Sequence, residues 1–122
     1  CMDARRAQVY NAIFSMEDGA LTRMTEDRAI SIEELGKDLC EIHKKIFMVG
    51  DGAALCYSIL SDGLPGISLM PEHLRQQRAS GVALAAWEQV KNGACGDGAA
   101  LVPNYIRLSQ AERARMEGNT TE

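Results

Sequence analysis

Apolar and polar residues alternate first with a period of two. From about Ala7 to Phe14, Val9, Asn11 and Ile13 fall on one face, and Tyr10, Ala12 and Phe14 on the other. Apolar groups on both faces predict a strand covered on both sides. Glu17-Asp18-Gly19 reads as a turn, with Gly available for positive φ. A second strand, about Ala20 to Asp27, completes a predicted hairpin. Its polar content (Thr22, Arg23, Thr25, Glu26) suggests a wet face or an edge.

The period then lengthens. Ser31-Ile32-Glu33-Glu34 has capping-box spacing, and Ile32, Leu35, Leu39 and Ile42 form a helical stripe. Lys44 and Lys45 fall near its predicted end, where cations suit the helix dipole. Gly36 weakens such a helix by about 1 kcal/mol relative to Ala. Ile46-Phe47-Met48-Val49 is a short continuous apolar run, the pattern of a buried central strand. Gly50-Asp51-Gly52 ends it and opens a helix over about Ala53 to Leu60. Gly63, Pro65 and Gly66 break the chain, and Ile67 to Met70 reads as a further short strand.

The longest predicted helix runs from Pro71 to about Asn92. Pro71 suits a first turn, and Leu74, Val82, Ala83, Ala86 and Val90 with Trp87 supply an apolar face. Asn92-Gly93 is its stop signal. Residues 93–98 form a Gly-rich loop, and Leu101 to Arg107 is extended, irregular at Pro103. Ser109 to Glu112 is a second capping box opening a terminal helix, and Gly118 to Glu122 is expected to fray. The order β-β-α-β-α-(β)-α-β-α predicts an α/β domain, a mixed sheet with an N-terminal hairpin and helices packed on it.

Composition narrows the function classes. At 122 residues, 46% hydrophobic and 25% charged, the chain fits one folded domain. Lys plus Arg is 13 and Asp plus Glu 17, a net charge of -4. A protein that grips a nucleic-acid backbone by itself usually carries a basic excess. The four cysteines (Cys1, Cys40, Cys56, Cys95) form no CxxC pair and no zinc spacing with histidine, so reduced thiols in a cytoplasmic protein are expected. No apolar run is long enough for a membrane span, and no basic-then-apolar leader pattern occurs. The opening Cys1-Met2-Asp3-Ala4-Arg5-Arg6 reads like the interior of a longer chain.

Candidate chemistry is sparse. His43 and His73 have no metal-ligand spacing, and exposed histidines are the simpler reading. There is no GxSxG elbow. Cys56 in Ala-Ala-Leu-Cys-Tyr reads as an inert buried thiol, and Cys95 in its glycine-rich loop as the more reactive one. Gly50, Asp51 and Gly52 stand between a strand and a helix N-terminus, where anions bind. They lack the GxGxxG and GxxxxGKS patterns, and Asp51 places negative charge where a phosphate would sit. A structural turn is the competing reading. Arg5-Arg6 and the pair Arg75 and Arg78 are small basic spots, able to touch an RNA phosphate or a partner carboxylate, or simply solvated. No catalytic residue, metal ligand or cofactor is expected.

Four segments together resemble the TsaB/YeaZ family. They are Asp3-Ala4-Arg5-Arg6-Ala7-Gln8-Val9-Tyr10, similar to its DAR-x-x-x-VY segment; Val49-Gly50-Asp51-Gly52-Ala53, similar to its VGDG turn; Arg75-Gln-Gln-Arg78-Ala79-Ser80; and Leu101 to Arg113, similar to its P-x-YLR-x-S-x-AER signature with Ile106 in place of Leu. The resemblance implies an actin-like ATPase (ASKHA, ribonuclease-H-like) fold, with residues 1–122 as the C-terminal domain and the family's N-terminal domain absent. It implies a non-catalytic subunit of the complex that forms threonylcarbamoyladenosine at position 37 of tRNA. The implied partners are a TsaD-type catalytic subunit and a TsaE-type ATPase, docking mainly through the absent domain, with tRNA only indirectly. The family lacks the HxxxH metal site of its paralogue, and so does this sequence. A glycoprotease (M22) hydrolase and a nucleotide-binding module using Gly50 to Gly52 are the alternatives. Loss of a strand before Asp3 is expected to open a sheet edge and favour a homodimer.

Overall fold

A computed structural model describes residues 1–94 and 96–106. The chain folds as β1 (Met2–Asp3), β2 (Gln8–Asn11), β3 (Phe14–Glu17), β4 (Ala20–Arg23), β5 (Arg28–Ser31), α1 (Ile32–Cys40), β6 (Ile46–Met48), α2 (Ala53–Leu60), β7 (Ile67–Leu69), α3 (Glu72–Arg75) and α4 (Ala79–Lys91), with a 3-10 turn at Gly98–Ala100. This is the mixed α/β arrangement that the periodicities predict.

The predicted first hairpin is rearranged. The strand expected over residues 7–14 divides into β2 and β3. β3 pairs with β4 as a separate ribbon, turned at Asp18 and Gly19, whose φ values are 50° and 80°. β2 instead pairs antiparallel with β1 on one side and β5 on the other. The division falls at Ile13, whose N–H donates to Thr25 Oγ1 (2.8 Å) and whose carbonyl accepts from Met24 and Thr25. Those bonds cross the two ribbons over and end the first ladder. Because Met2–Asp3 and Arg28–Ser31 both pair with β2, the sheet edge expected to drive self-association is occupied over these residues.

β6 and β7 pair in parallel, as the crossover through α2 requires. The Cys1 nitrogen donates to the Val49 carbonyl (2.7 Å), and Gly52 N–H donates to the Cys1 carbonyl (3.2 Å). These bonds lay the start of β1 beside the end of β6. The residue before β1 thus lies against the segment after β6, beside the separate β1-β2-β5 and β6-β7 ladders.

The core lies on one face of these strands. Val9, Ile32, Leu35, Leu39, Met48, Ala53, Cys56 and Ile67 form a single buried cluster. β2 contributes Val9 and β6 contributes Met48, while α1 and α2 cover them. Asn11 is buried beside Val9, with partners at both its amide oxygen and its amide nitrogen. Its Oδ1 accepts from Arg28 (3.2 and 3.3 Å), and its Nδ2 donates to Cys1 Sγ (3.6 Å). Arg28 also pairs with Asp38 on α1 at 2.6 Å, tying β5 to the helix that follows it. Two expectations of strands buried on both faces need correction. Phe47 is 54% exposed, and Tyr10 is only half-buried, because among the described residues no helix covers the second face.

α1 begins where the capping box predicts. Glu34 N–H donates to Ser31 Oγ (3.1 Å), and Ser31 N–H donates to the Glu34 carboxylate (2.9 Å). The Ser31 N–H and then the Ser31 hydroxyl, which also donates to that carboxylate (2.9 Å), hold the Glu34 carboxyl below its ordinary range. Its contribution is therefore present above the ordinary glutamate range and fades as pH falls through the lowered value. Ser31→Ala is expected to cost about 1 kcal/mol. It should also flatten the acid limb of a urea-stability profile, and an unchanged acid limb would separate the cap from that limb. Gly36 has a packing role that composition does not reveal. A Cβ there would lie 2.8 Å from Leu60 Cδ2, so the glycine lets α1 approach α2. Lys44 and Lys45 follow the helix and act elsewhere, Lys44 on Glu17 (3.2 Å) and Lys45 over the Phe47 ring.

The long helix predicted from Pro71 to Asn92 is two helices. Residues 76–78 are extended at Gln76 (ψ 150°) and Arg78 (ψ 138°). No apolar residue lies between Leu74 and Val82 other than Ala79 and Gly81, so nothing holds a helix to a core there. The Arg75 carbonyl accepts from Gly50 N–H (2.7 Å). The Asn92-Gly93 stop is present, with Gly93 at φ 83°. Residues 101–106 are exposed and belong to no strand. Cys95, Arg107, the second capping box at Ser109 and the C-terminal residues lie outside the described residues.

Candidate functional site

Three segments far apart in sequence meet at one end of the sheet. Gly50 to Gly52 form the centre. Gly50 has φ 98°, and a Cβ on it would overlap the Cys1 carbonyl oxygen. A Cβ on Gly52 would lie 2.8 Å from the Asp3 nitrogen. Both glycines are therefore places where one backbone runs against another. Asp51 Oδ1 accepts from Asp3 N–H at 3.2 Å. On the other side, Gly50 N–H is taken by the Arg75 carbonyl. The DAR segment, the VGDG turn and the start of Arg75 to Ser80 are thus joined by main-chain contacts.

Three amides at this turn are engaged. Gly50 donates to Arg75, Gly52 to Cys1 and Ala53 to the Gly50 carbonyl. A phosphate at the α2 N-terminus would need such donors and would face the Asp51 carboxylate. What the geometry offers is a fastening of chain to chain.

Beyond Asp3 the backbone takes an uncommon course. Arg5, Arg6 and Ala7 have φ of 63°, 55° and 55°, three successive non-glycine residues in the left-handed region. Each costs roughly 1–2 kcal/mol. Several bonds hold the turn. Asp3 Oδ1 accepts from Arg5 N–H (2.7 Å), Gln8 N–H donates to the Arg5 carbonyl (3.1 Å), and Ile32 N–H donates to the Ala7 carbonyl (3.0 Å). Arg5 also pairs with Asp3 at 3.6 Å. The turn presents both arginines to solvent. Ala7→Gly is expected to raise stability by about 0.5–1 kcal/mol, since it removes the Cβ penalty at some cost in unfolded-state entropy. A urea midpoint lower than that of the wild type would contradict this.

The remaining candidates stay apart. His43 and His73 are both exposed. Cys56 is fully buried, and burial pushes its thiol above the ordinary cysteine range, opposite to what a nucleophile needs. Among the described residues, no three of His, Cys, Asp and Glu gather where they could hold a metal ion. Among the same residues, no helix is long and apolar enough to cross a membrane. Sequence reasoning missed the left-handed turn. Arg-Arg-Ala carries no glycine or asparagine to announce it.

No family model matches the chain. The chain is similar to the tRNA threonylcarbamoyladenosine biosynthesis protein TsaB of Bacillus subtilis strain 168, with 28% identity over 118 residues. The likeness runs over 94% of this chain. It covers 49% of the relative, so the chain spans about half the length of the curated protein it matches.

Proposed function

We propose that the chain is a TsaB/YeaZ-type domain, an accessory and non-catalytic part of the machinery that makes threonylcarbamoyladenosine in tRNA. In this reading the domain is actin-like and works in the cytoplasm beside a TsaD-type catalytic subunit and a TsaE-type ATPase. It reaches tRNA only through them, in keeping with its net charge of -4.

The observation that carries the reading is the likeness to TsaB along nearly the whole chain. It is supported by the meeting of three resembling segments at the Gly50–Gly52 turn, where the glycines are required by backbone contacts rather than by a ligand. The alternative of a nucleotide-binding module finds less support, because the Gly50, Gly52 and Ala53 amides are bonded within the chain and the Asp51 carboxylate stands where a phosphate would sit. Cys56, buried and with its thiol pushed up by burial, lends none as an activated nucleophile to the alternative of a glycoprotease (M22) hydrolase.

The test is assembly. The full-length gene product and residues 1–122 alone are each mixed with a purified TsaD-type subunit from the same genome and passed over a size-exclusion column. The full-length product is expected to co-elute, and residues 1–122 to elute alone. A full-length product that does not associate would overturn the reading. Binding by residues 1–122 would move the docking surface into this domain.

A further inference from the structure

One peptide group holds two distant parts of the chain. The Val49 carbonyl accepts from the Cys1 nitrogen (2.7 Å), and the Gly50 N–H donates to the Arg75 carbonyl (2.7 Å). Carbonyl and N–H belong to the same planar amide, so they turn together. The start of β1 sits at one end of this rigid unit and the end of α3 at the other. Gly50 is buried with φ 98°, and the Cys1 carbonyl fills the space where a Cβ would stand.

Each end carries an exposed segment. On the β1 side, Asp3 N–H rests on Asp51 Oδ1 (3.2 Å), and Asp3 Oδ1 in turn accepts from Arg5 N–H (2.7 Å). The left-handed turn that presents Arg5 and Arg6 is thus anchored through β1. On the other side, Leu74 and Arg75 N–H groups bond back to the Pro71 carbonyl (2.9 and 3.0 Å), which closes α3. Residues 76–78 then lead out in extended form to α4, which has no buried residue. The bond to Gly50 fixes the point at which this segment leaves the strands.

We propose that the Val49–Gly50 peptide is a conformational latch, coupling the arginine turn at Arg5–Ala7 to the α3 segment so that the two loosen and tighten together. When β1 lifts, the peptide loses the bond that orients its carbonyl and the backbone packed on Gly50. It can then rotate, which changes ψ of Val49 and φ of Gly50. Glycine accepts φ of either sign, so position 50 permits the rotation. The rotation swings the N–H away from Arg75 and releases α3. Coupling of this kind is reciprocal. A contact that steadies α3 steadies the arginine turn, and a contact on the arginines steadies α3 by the same factor.

Amide hydrogen exchange, followed by NMR on the full-length gene product, reads the latch residue by residue. Asp51→Ala removes the acceptor of Asp3 N–H and leaves every group bonded to Arg75 in place. It is expected to speed exchange about tenfold or more at Asp3 and Gly52. Gly50 should accelerate by the same factor, followed by Leu74 and Arg75. Met70 N–H, bonded to the Met48 carbonyl (3.2 Å), reports the parallel pair and should not change. Arg75→Gly loosens α3 from the other end. It should speed Gly50 about fivefold and, reciprocally, Asp3 and Gly52 as well. Acceleration confined to Asp3 and Gly52 in the first variant, or to Gly50, Leu74 and residue 75 in the second, would overturn the proposal. So would equal acceleration of Met70, which would make the opening a loss of the whole domain. Unchanged exchange at Asp3 in Asp51→Ala would overturn it too, because β1 would then not be held at this turn.

Discussion

Gly50→Ala is expected to destabilise the fold by about 3 kcal/mol or more, seen as a large fall in the urea midpoint. Two effects act in the same direction. The residue has φ 98°, where a side chain is strained whatever the space around it. The added Cβ would also overlap the Cys1 carbonyl oxygen, a backbone atom that cannot rotate aside. Relief requires β1 to lift away, which gives up the bonds from Cys1 to Val49, from Gly52 to the Cys1 carbonyl and from Asp3 to Asp51. Gly63→Ala is the control, because its Cβ would come no closer than 3.9 Å to the Leu60 carbonyl. That change is expected to shift stability by under about 1 kcal/mol. Equal midpoints for the two variants would mean that β1 is not fastened at this turn.

Leu35→Ala is expected to cost about 3–4 kcal/mol. Leu35 lies on the inward face of α1 with no exposure, among Val9, Met48 and Cys56. Helices α1 and α2 already approach closely at Gly36, so the space left by the lost methyl groups has little means of collapsing. Against a net stability of about 5–15 kcal/mol for a domain of this kind, that loss is a large share. Leu84→Ala on α4 removes the same groups from an exposed position and should change the stability of the single chain by about 0.5 kcal/mol or less. Comparable losses from both variants would place α4 in the folding core, contrary to its position.

The elements written in local signals were legible. The Ser31–Glu34 box, the Ile32/Leu35/Leu39 stripe, α2 from Ala53 to Leu60 and the Asp18-Gly19 turn follow from spacing alone, because each depends on residues within a turn of one another. Strand pairing was not legible. Nothing in Ala7 to Phe14 shows that the ladder ends at Ile13, since the bonds that end it come from Met24 and Thr25. β5 went unseen because Arg28-Ala29-Ile30-Ser31 is too short to show alternation and runs straight into a helix cap. The break after Arg75 had a signal, the absence of large apolar residues before Val82, which the length of the stripe obscured. At the candidate site, Gly50 and Gly52 were found by position. The reason for them, the passage of Cys1 to Asp3 across the turn, is a contact between residues 48 apart.

That separation bears on the order in which the domain assembles. The β3–β4 ribbon and the α1 cap close loops of a few residues and need no other part of the chain. The strand that starts at Met2 can dock only after β6 and α2 have created the turn that receives it, and its docking closes a loop of 48 residues. The expected kinetics are a fast phase that protects α1, α2 and the parallel pair, then a slower one in which the amides of Asp3 and Gly52 lose exchange with solvent together. In the folded protein the same step in reverse is an opening in which the turn at Gly50 to Gly52 and the strand that crosses it part together, a local unfolding smaller than the loss of the core.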